Sequence, residues 1–270
     1  MHTLTSRDGT KIAYTRDGSG PCVVLVGGGL DDGSENAMLI PALADRFTVV
    51  NYARRGRDGS GDTPPYSLAR EIEDLTAVIG SAGGSAHLFG ASSGGALALE
   101  AAAAGVSALS IAVYDVPYSV TPNAVSAWQT YVAQLRDALA EDDRDRAIEL
   151  FMGVAGLPQE AIAEAKSSPY WTPLLPIAHT LAYDAACLND GSPPRTWLSS
   201  ISQPVLLITR AEQAATMSDV AFFTAAADAV AQVIENAKRI TVPAPSHVVD
   251  PETLAPVLTN FFGSARRRSE

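Results

Sequence analysis

The segment from residue 85 to residue 105, SAHLFGASSGGALALEAAAAG, constrains the fold more than any other part of the chain. The apolar run HLF predicts a short buried strand, and the run ALALEAAAA consists of strong helix formers. Between them, Gly90, Ser92 and Gly94 form the pattern G-x-S-x-G. This pattern is typical of a strained turn that raises a serine hydroxyl above a sheet, because the glycines let strand and helix approach closely.

The order of strand, turn and helix favours Ser92 as a nucleophile. At the start of the helix, backbone N–H groups point toward any negative charge that develops on a substrate. Ser93 is the alternative nucleophile, because its neighbours Ala91 and Gly95 are also small. Ser92 is preferred because it has glycine two positions away on both sides.

Length and charge limit the class of protein. A chain of 270 residues fits one large α/β domain, or a core with an inserted subdomain. The net charge of −11 opposes nucleic-acid binding, which needs clustered lysine and arginine. The basic run at 266–268 is interpreted as a solvated tail. We therefore expect a small-molecule substrate, no nucleic-acid partner and no membrane partner, and we leave a homodimer open.

Targeting and cofactor signals are the next constraint. The first ten residues lack the apolar stretch of a signal peptide, and no apolar run is long enough to span a membrane, so we expect a cytoplasmic protein. Cys22 and Cys187 are far apart in sequence, and we expect no disulfide. The Cys and His spacings match no metal site, and nucleotide-binding motifs are lacking, so we expect no metal and no cofactor.

Alternating strand and helix patterns predict a mostly parallel, twisted sheet flanked by helices. Asp8-Gly9 predicts an opening hairpin. Strand patterns then lie at 21–26, 47–50, 87–89, 109–114, 203–209 and 239–242, and helix patterns at 36–44, 66–81, 96–104 and 220–233. Since Pro251 and Pro256 cannot both occupy the first turn of one helix, we predict a turn near Asp250 and a last helix from Pro256 to Phe262.

From Thr121 to Pro194 the pattern is helical only. Helices are predicted from Pro122 and around 146–153, 159–166 and 174–188. We therefore divide the chain into a first core part at 1–116, an inserted helical lid at 117–195 and a second core part at 196–270. The apolar side chains of the lid predict an apolar substrate pocket. The residues predicted to contact the substrate are Leu30, Trp128, Tyr131, Trp171 and His179.

Two further loops carry chemistry. Gly27, Gly28 and Gly29 follow an apolar strand, so the backbone there can approach a substrate and offer an N–H group. The loop at 52–61, YARRGRDGSG, contains three arginines. These suggest a phosphate site, but pairing of arginine with aspartate within the loop is the favoured interpretation.

A serine nucleophile needs a base, and the chain has four histidines. His2 lies at the terminus, His87 in the strand below Ser92, and His179 in the lid. His247 follows the last strand, at the edge of the sheet where Ser92 lies if the strands are parallel. We therefore predict His247 as the base.

The acid that orients this histidine is less constrained. Gln213 stands where an aspartate is expected, in the loop after the strand that ends at Thr209. Asp115 ends another strand at the same edge and keeps the chain order Ser, Asp, His, so it is favoured. The alternatives, in order, are Glu212, then Asp219 or Asp250.

Together, GGGL after the third strand, ARRGRDGSG in the next loop, GASSG at the turn and SH before the last helix resemble the α/β-hydrolase family over nearly the whole chain. The resemblance implies an α/β-hydrolase fold and oxyanion-hole N–H groups at Gly29 and Ser93. Asp115 in YDVPY is similar to the acid position of some members, including haloalkane dehalogenases. Those enzymes and epoxide hydrolases use an aspartate nucleophile, which Ser92 disfavours. Gly27, in place of the usual histidine, and the vacant acid site depart from the family pattern.

The predicted function is that of a serine hydrolase. It would cleave a carboxylic ester, lactone or thioester of a hydrophobic small molecule through an acyl-enzyme on Ser92. One alternative keeps the fold but catalyses a cyclisation, a lyase step or an acyl transfer in a biosynthetic pathway. Another is a binding module without catalysis.

Overall fold

In the residues that the structure describes, the sheet has eight strands in the order β1-β2-β4-β3-β5-β6-β7-β8. Its strands are β1 (His2–Thr5), β2 (Lys11–Asp17), β3 (Cys22–Val26), β4 (Thr48–Tyr52), β5 (Ala86–Ala91), β6 (Ala108–Tyr114), β7 (Val205–Arg210) and β8 (Ala237–Val242). The first pair, and β2 with β4, are antiparallel, and all other pairs are parallel. The predicted hairpin and mostly parallel sheet are confirmed. This computed structural model describes residues 1–211, 217–244 and 246–265.

Helices cover both faces of the sheet and fill the connection between β6 and β7. They are α1 (Ser34–Ala37), α2 (Ile40–Leu43), α3 (Leu68–Ser81), α4 (Ser93–Ala103), α5 (Pro122–Ala140), α6 (Arg144–Val154), α7 (Gln159–Lys166), a 3₁₀ helix (Thr172–Thr180), α8 (Leu181–Leu188), α9 (Arg195–Leu198), α10 (Met217–Ala231) and α11 (Pro251–Ala265). Residues 115–204, here named the β6–β7 segment, contain α5 to α9. Over the described ranges, no helix combines the length and apolarity needed to cross a membrane.

Alternate side chains of the central strands point to opposite faces of the sheet and build two apolar layers. Val24 and Leu88 face the layer that contains α3, α4 and α10. Val23, Leu25 and Phe89 face the layer that contains α2 and α11. Because every residue of β3, β4 and β5 is buried, the ends of the strands are where a functional site can meet solvent.

Three predicted helices differ from the structure, each at a proline. The pattern at 36–44 forms two short helices, because Pro41 lacks the N–H that would continue α1. The pattern at 174–188 is a 3₁₀ helix containing Pro176, followed by α8. The prediction that the last helix begins near Pro256 is wrong. It begins at Pro251, and Pro256 is tolerated inside it because both Pro256 and Glu252 are exposed, so water can reach the carbonyl left without a donor.

The carboxyl ends of the parallel strands bring distant residues to one edge. Ser92 follows β5, Asp115 follows the neighbouring β6, and Arg210 ends β7. The glycine run follows β3, and His247 follows β8. The topology therefore places all the residues predicted for catalysis at the same side of the sheet.

Gly94 provides a test of this packing. A Cβ added at Gly94 would lie 2.3 Å from the Val26 carbonyl oxygen and 2.6 Å from that of Gly27. Because both atoms belong to the backbone and cannot move aside, we expect Gly94→Ala to lower the free energy of unfolding by at least about 1–3 kcal/mol. Gly80 in α3 is the control, because a Cβ there meets no heavy atom within 4 Å. Gly80→Ala should raise stability by about 0.5–1 kcal/mol. Urea denaturation measures both, and equal effects would contradict the steric argument.

Candidate active site

Ser92 occupies the sharp turn between β5 and α4. Its backbone has φ 54° and ψ −128°, a conformation that a residue with a side chain adopts only under strain. A Cβ added at Gly90 would lie 2.4 Å from the Gly94 carbonyl oxygen, which is why the turn needs glycine there. Ser92 is partly exposed, whereas Ser93 is 3 % exposed and donates its hydroxyl to Asp184 Oδ1 at 2.8 Å. Of the two serines, Ser92 presents the accessible hydroxyl.

Backbone strain is concentrated at this edge of the sheet. Among the described residues other than glycine, five have positive φ, and three of these follow β3, β5 and β6. They are Leu30 (φ 56°), Ser92 (φ 54°) and Asp115 (φ 49°). Strained residues of this kind persist where the surrounding structure imposes them, and they cluster at active sites.

Asp115 and His247, which are 132 positions apart in sequence, meet in the structure. His247 Nδ1 lies 3.2 Å from Asp115 Oδ2. The imidazole stacks on Phe223 with ring centroids 4.9 Å apart, and the Tyr114 hydroxyl donates to the Ser246 carbonyl at 2.7 Å. Asp115 is fully buried, whereas the His247 side chain is 40 % exposed. The pair is thus anchored on the core side and open on the other.

Arg210 shares this carboxylate, and the sequence reasoning missed it. Arg210 Nε donates to Asp115 Oδ2 at 2.6 Å, the same oxygen that faces His247. The guanidinium carbon also lies over the Phe223 ring, 5.3 Å from its centroid. The signal was present in VLLITR, where an arginine ends an apolar strand. A charge at that position needs a buried partner from a neighbouring strand.

The Ser92 hydroxyl and the His247 ring are at the same edge, but no hydrogen bond joins them within the described ranges. Catalytic hydrogen bonds are often longer before substrate binds and tighten in the complex. The structure therefore brings Asp115 and His247 together and places Ser92 one strand away from Asp115.

The glycine run lies directly against the turn. A Cβ added at Gly28 would be 3.2 Å from Ser92 Cβ, and one at Gly29 would be 2.8 Å from Phe151 Cζ of α6. Leu30 packs against apolar clusters of the β6–β7 segment. The glycine run therefore contacts the serine turn at Gly28 and an aromatic ring of that segment at Gly29.

The three arginines of the loop after β4 are buried and paired. Arg54 binds Glu71, Arg55 binds Asp74 and Asp8, and Arg57 binds Asp184. The prediction that these arginines pair with carboxylates is confirmed, but the prediction that their partners lie within the same loop is wrong. Asp58 of the loop is exposed, and a buried guanidinium needs a carboxylate that is buried beside it. The partners therefore come from the β1–β2 turn, α3 and α8.

Asp184 on α8 is a second residue that the sequence reasoning missed. Its carboxylate accepts hydrogen bonds from Arg54 at 2.6 Å, from Arg57 at 2.8 and 2.9 Å, and from Ser93. Burial acts to raise the pKa of Asp184, but Arg57 and Arg54 outweigh it and keep the pKa below its usual value. The available signal was an aspartate on the face of α8 that also carries the buried Leu181, Ala185 and Leu188.

The predicted substrate contacts lie within the β6–β7 segment or beside it. Trp128 donates to the Asn189 carbonyl at 3.2 Å, and Trp171 donates to Asp145 Oδ1 at 2.7 Å. Tyr131 is buried in an apolar cluster with Leu135. Their contact with a substrate stays a prediction, as does that of Leu30 and His179.

The other residues considered as the catalytic base or as its orienting acid have different surroundings. His179 Nε2 lies 3.2 Å from Asp62 Oδ2. Asp250 accepts the N–H of Glu252 at 3.2 Å and so caps the start of α11. Glu212 lies outside the described residues, and so does the side chain of Asp219.

A match to the model of the alpha/beta hydrolase family extends over residues 23–257. The crystal structure of an alpha/beta hydrolase from Sphaerobacter thermophilus DSM 20745 is 42% identical, covers 97% of this chain and 100% of that chain, and has a TM-score of 0.86. An enol-lactonase from Burkholderia xenovorans LB400 is 20% identical, with 98% and 100% coverage and a TM-score of 0.66, which is a likeness of fold.

A shorter match is to a curated protein of Mycobacterium tuberculosis (strain ATCC 25618 / H37Rv) named "Probable oxidoreductase EphD". It is 39% identical over 82 residues, which are 28% of this chain and 14% of that protein. The chain therefore matches about one seventh of the length of this relative.

His87 generates a test of how the residues beneath Ser92 are packed. It is buried in β5 with Nδ1 2.8 Å from Ser110 Oγ, and burial lowers its pKa from 6.5 to about 4. Between about pH 4 and pH 6.5, His87 is therefore protonated in the unfolded chain and neutral in the folded chain. The contribution of neutral His87 to the free energy of unfolding should be fully present above about pH 6.5. It should fall by up to about 3 kcal/mol as the pH approaches 4. Urea unfolding should show a shallower decline for His87→Gln, and parallel profiles would contradict the assignment.

Proposed function

Because the chain belongs to the alpha/beta hydrolase family, we propose that it is a serine hydrolase acting on a carboxylic ester, lactone or thioester of a hydrophobic small molecule. The observation that carries the proposal is the strained, partly exposed Ser92 at the same edge as the paired Asp115 and His247. A strained serine between strand and helix beside such a pair is the arrangement that acyl transfer requires.

In the proposed reaction, His247 Nε2 takes the Ser92 proton and Oγ attacks the substrate carbonyl carbon. The N–H groups of Gly29 and Ser93 stabilise the oxyanion, and each such donor contributes about 3 kcal/mol to the transition state. His247 then donates its proton to the leaving group, and water hydrolyses the acyl-enzyme. Asp115 accepts a hydrogen bond from the Nδ1–H group and so keeps the imidazole in the tautomer that the attack needs.

We further propose that the β6–β7 segment acts as a lid, with 117–195 as the insertion and 1–116 and 196–270 as the core. Phe151 supports this, because its ring contacts the backbone at Gly29, where the substrate carbonyl would lie. Leu30 and Phe151 belong to the same apolar cluster of the segment. A hydrophobic acyl or ring substrate fits such a surface better than a charged one.

Covalent labelling tests the nucleophile. We expect a fluorophosphonate to add one phosphonyl group to the protein, detected by intact mass, because Ser92 Oγ displaces fluoride from phosphorus and the proton passes to His247. Ser92→Ala should show no adduct. Ser93→Ala should still be labelled, because the adjacent serine is buried and is not the nucleophile. Absence of an adduct on the unmodified protein would overturn the proposed function.

Phe151→Ala tests the role of the segment in substrate choice. Removing the ring above Gly29 should raise kcat/KM for a hexanoyl relative to an acetyl p-nitrophenyl ester by about 10-fold, the scale of a few methylene groups in an apolar pocket. Val154→Ala on the same helix is the control, because Val154 is 40% exposed. An unchanged ratio in Phe151→Ala would contradict a contact between Phe151 and the acyl chain.

Products formed in ¹⁸O-labelled water separate hydrolysis from the non-hydrolytic alternative. Hydrolysis through an acyl-enzyme places one labelled oxygen in the released acid. Acyl transfer or cyclisation on the same serine would leave the product unlabelled. An unlabelled product, together with phosphonate labelling of Ser92, would support Ser92 as the nucleophile but would show that the reaction is not hydrolysis.

A further inference from the structure

We infer that Asp184 is a positioning residue for the oxyanion hole, acting through Arg57 on one peptide group and through Ser93 on the other. The inference rests on the proposed function, since it concerns the two N–H groups that would stabilise the oxyanion. Asp184 lies on α8, about 90 positions after Ser93, and its side chain is only 6% exposed. It is therefore part of the β6–β7 segment, not of the loops that carry the catalytic groups.

The first link runs through Arg57. Its Nη2 donates to both carboxylate oxygens of Asp184, at 2.8 and 2.9 Å. Its Nη1 donates to the Gly28 carbonyl and, at 3.0 Å, to the Asp31 carbonyl. In a trans peptide the C=O and the following N–H point in opposite directions. A guanidinium that binds the Gly28 carbonyl therefore turns the Gly29 N–H away from Arg57 and fixes its direction.

The second link runs through Ser93. This residue begins α4, where the first N–H groups have no partner within the helix. Its hydroxyl donates to Asp184 Oδ1 at 2.8 Å, which anchors the residue immediately after Ser92. One carboxylate thus connects the two peptide groups proposed for the oxyanion hole.

A third contact reinforces this arrangement. Arg54 Nη1 donates to Asp184 Oδ1 at 2.6 Å and to the Gly27 carbonyl at 3.1 Å. Arg54 also binds Glu71, whereas in the described part of the chain Asp184 is the carboxylate that pairs with Arg57. Removing the charge of Asp184 would therefore leave Arg57 without its ionic partner and free to leave the glycine run. Donors that are not preorganised lose most of their effect on a transition state.

The experiment compares Asp184→Asn with Asp74→Asn. Asp74 is the matched control, because it forms an equally buried bidentate pair with Arg55 that does not contact the glycine run. With an activated ester, we expect Asp184→Asn to lower kcat by about 100-fold while KM changes by less than about 3-fold. Asp74→Asn should lower thermal stability and leave the kcat of the folded protein within about 2-fold.

Affinity for a trifluoromethyl ketone gives a readout that a purely structural role would not move. The serine oxygen adds to the ketone carbonyl, and the resulting hemiketal oxyanion occupies the oxyanion hole, as in the transition state. Asp184→Asn should weaken this inhibitor by about the same factor as kcat, whereas Asp74→Asn should not. A folded Asp184→Asn with unchanged kcat and inhibitor affinity would overturn the inference, and so would equal losses in both variants.

If Asp184→Asn does not fold, Ser93→Ala tests the link between Asp184 and the oxyanion hole instead. It retains the backbone N–H and removes only the hydroxyl that binds Asp184, so kcat and inhibitor affinity should each fall by about 5- to 10-fold. Unchanged values would then overturn the inference. Fluorophosphonate labelling separates the two failures. An unlabelled parent protein rejects the proposed function, while equal labelling rates in the parent and Asp184→Asn reject only the role of Asp184.

Discussion

The buried ion pairs of Arg54 and Arg57 are the interaction on which the rest of this structure depends. Both guanidinium groups are removed from water and bind carboxylates from α3 and α8. A charge left without its partner at such depth costs several kcal/mol, so the loop after β4 and the β6–β7 segment can be buried only together. Their remaining donors bind the Gly27 and Gly28 carbonyls. The same charges that join the segment to the core therefore also set the shape of the glycine run beside Ser92.

The strained residues at the edge of the sheet are held by the neighbouring strands. A non-glycine residue with positive φ costs about 1–3 kcal/mol and persists only if its surroundings impose it. At Ser92 the backbone N–H binds the Tyr114 carbonyl at 2.9 Å, and Gly94 lies in contact with the ends of β3. At Asp115 the N–H binds the Ile208 carbonyl at 2.9 Å. The strain is thus supported by the hydrogen bonds of neighbouring parallel strands, which are among the most buried parts of the fold.

What could be predicted from sequence follows from the range of the interactions. The G-x-S-x-G turn is a local steric requirement, and the apolar strand patterns report burial directly. The sheet and the location of Ser92 and His247 could therefore be predicted from the sequence. The partners of the arginines could not be predicted. Arg57 and Asp184 are 127 positions apart, and nothing in a single sequence records which buried carboxylate meets which guanidinium. The start of the last helix was missed for a different reason, because Pro256 is tolerated only where Glu252 is exposed to solvent.

Arg210 bears on how the proposed His247–Asp115 pair would operate. Because Arg210 and His247 share Asp115 Oδ2, the negative charge that faces the imidazole is already partly offset by a guanidinium. The carboxylate then contributes less by attracting an imidazolium and more by holding the ring in place. Phe223 strengthens this orienting effect, since it stacks on the imidazole and packs over the guanidinium. Preorganisation of this kind requires that Arg210, Phe223 and His247 keep their relative positions. The packing of α10 against β7 and β8, the pairing of β7 with β8 and the stacking of His247 on Phe223 favour this.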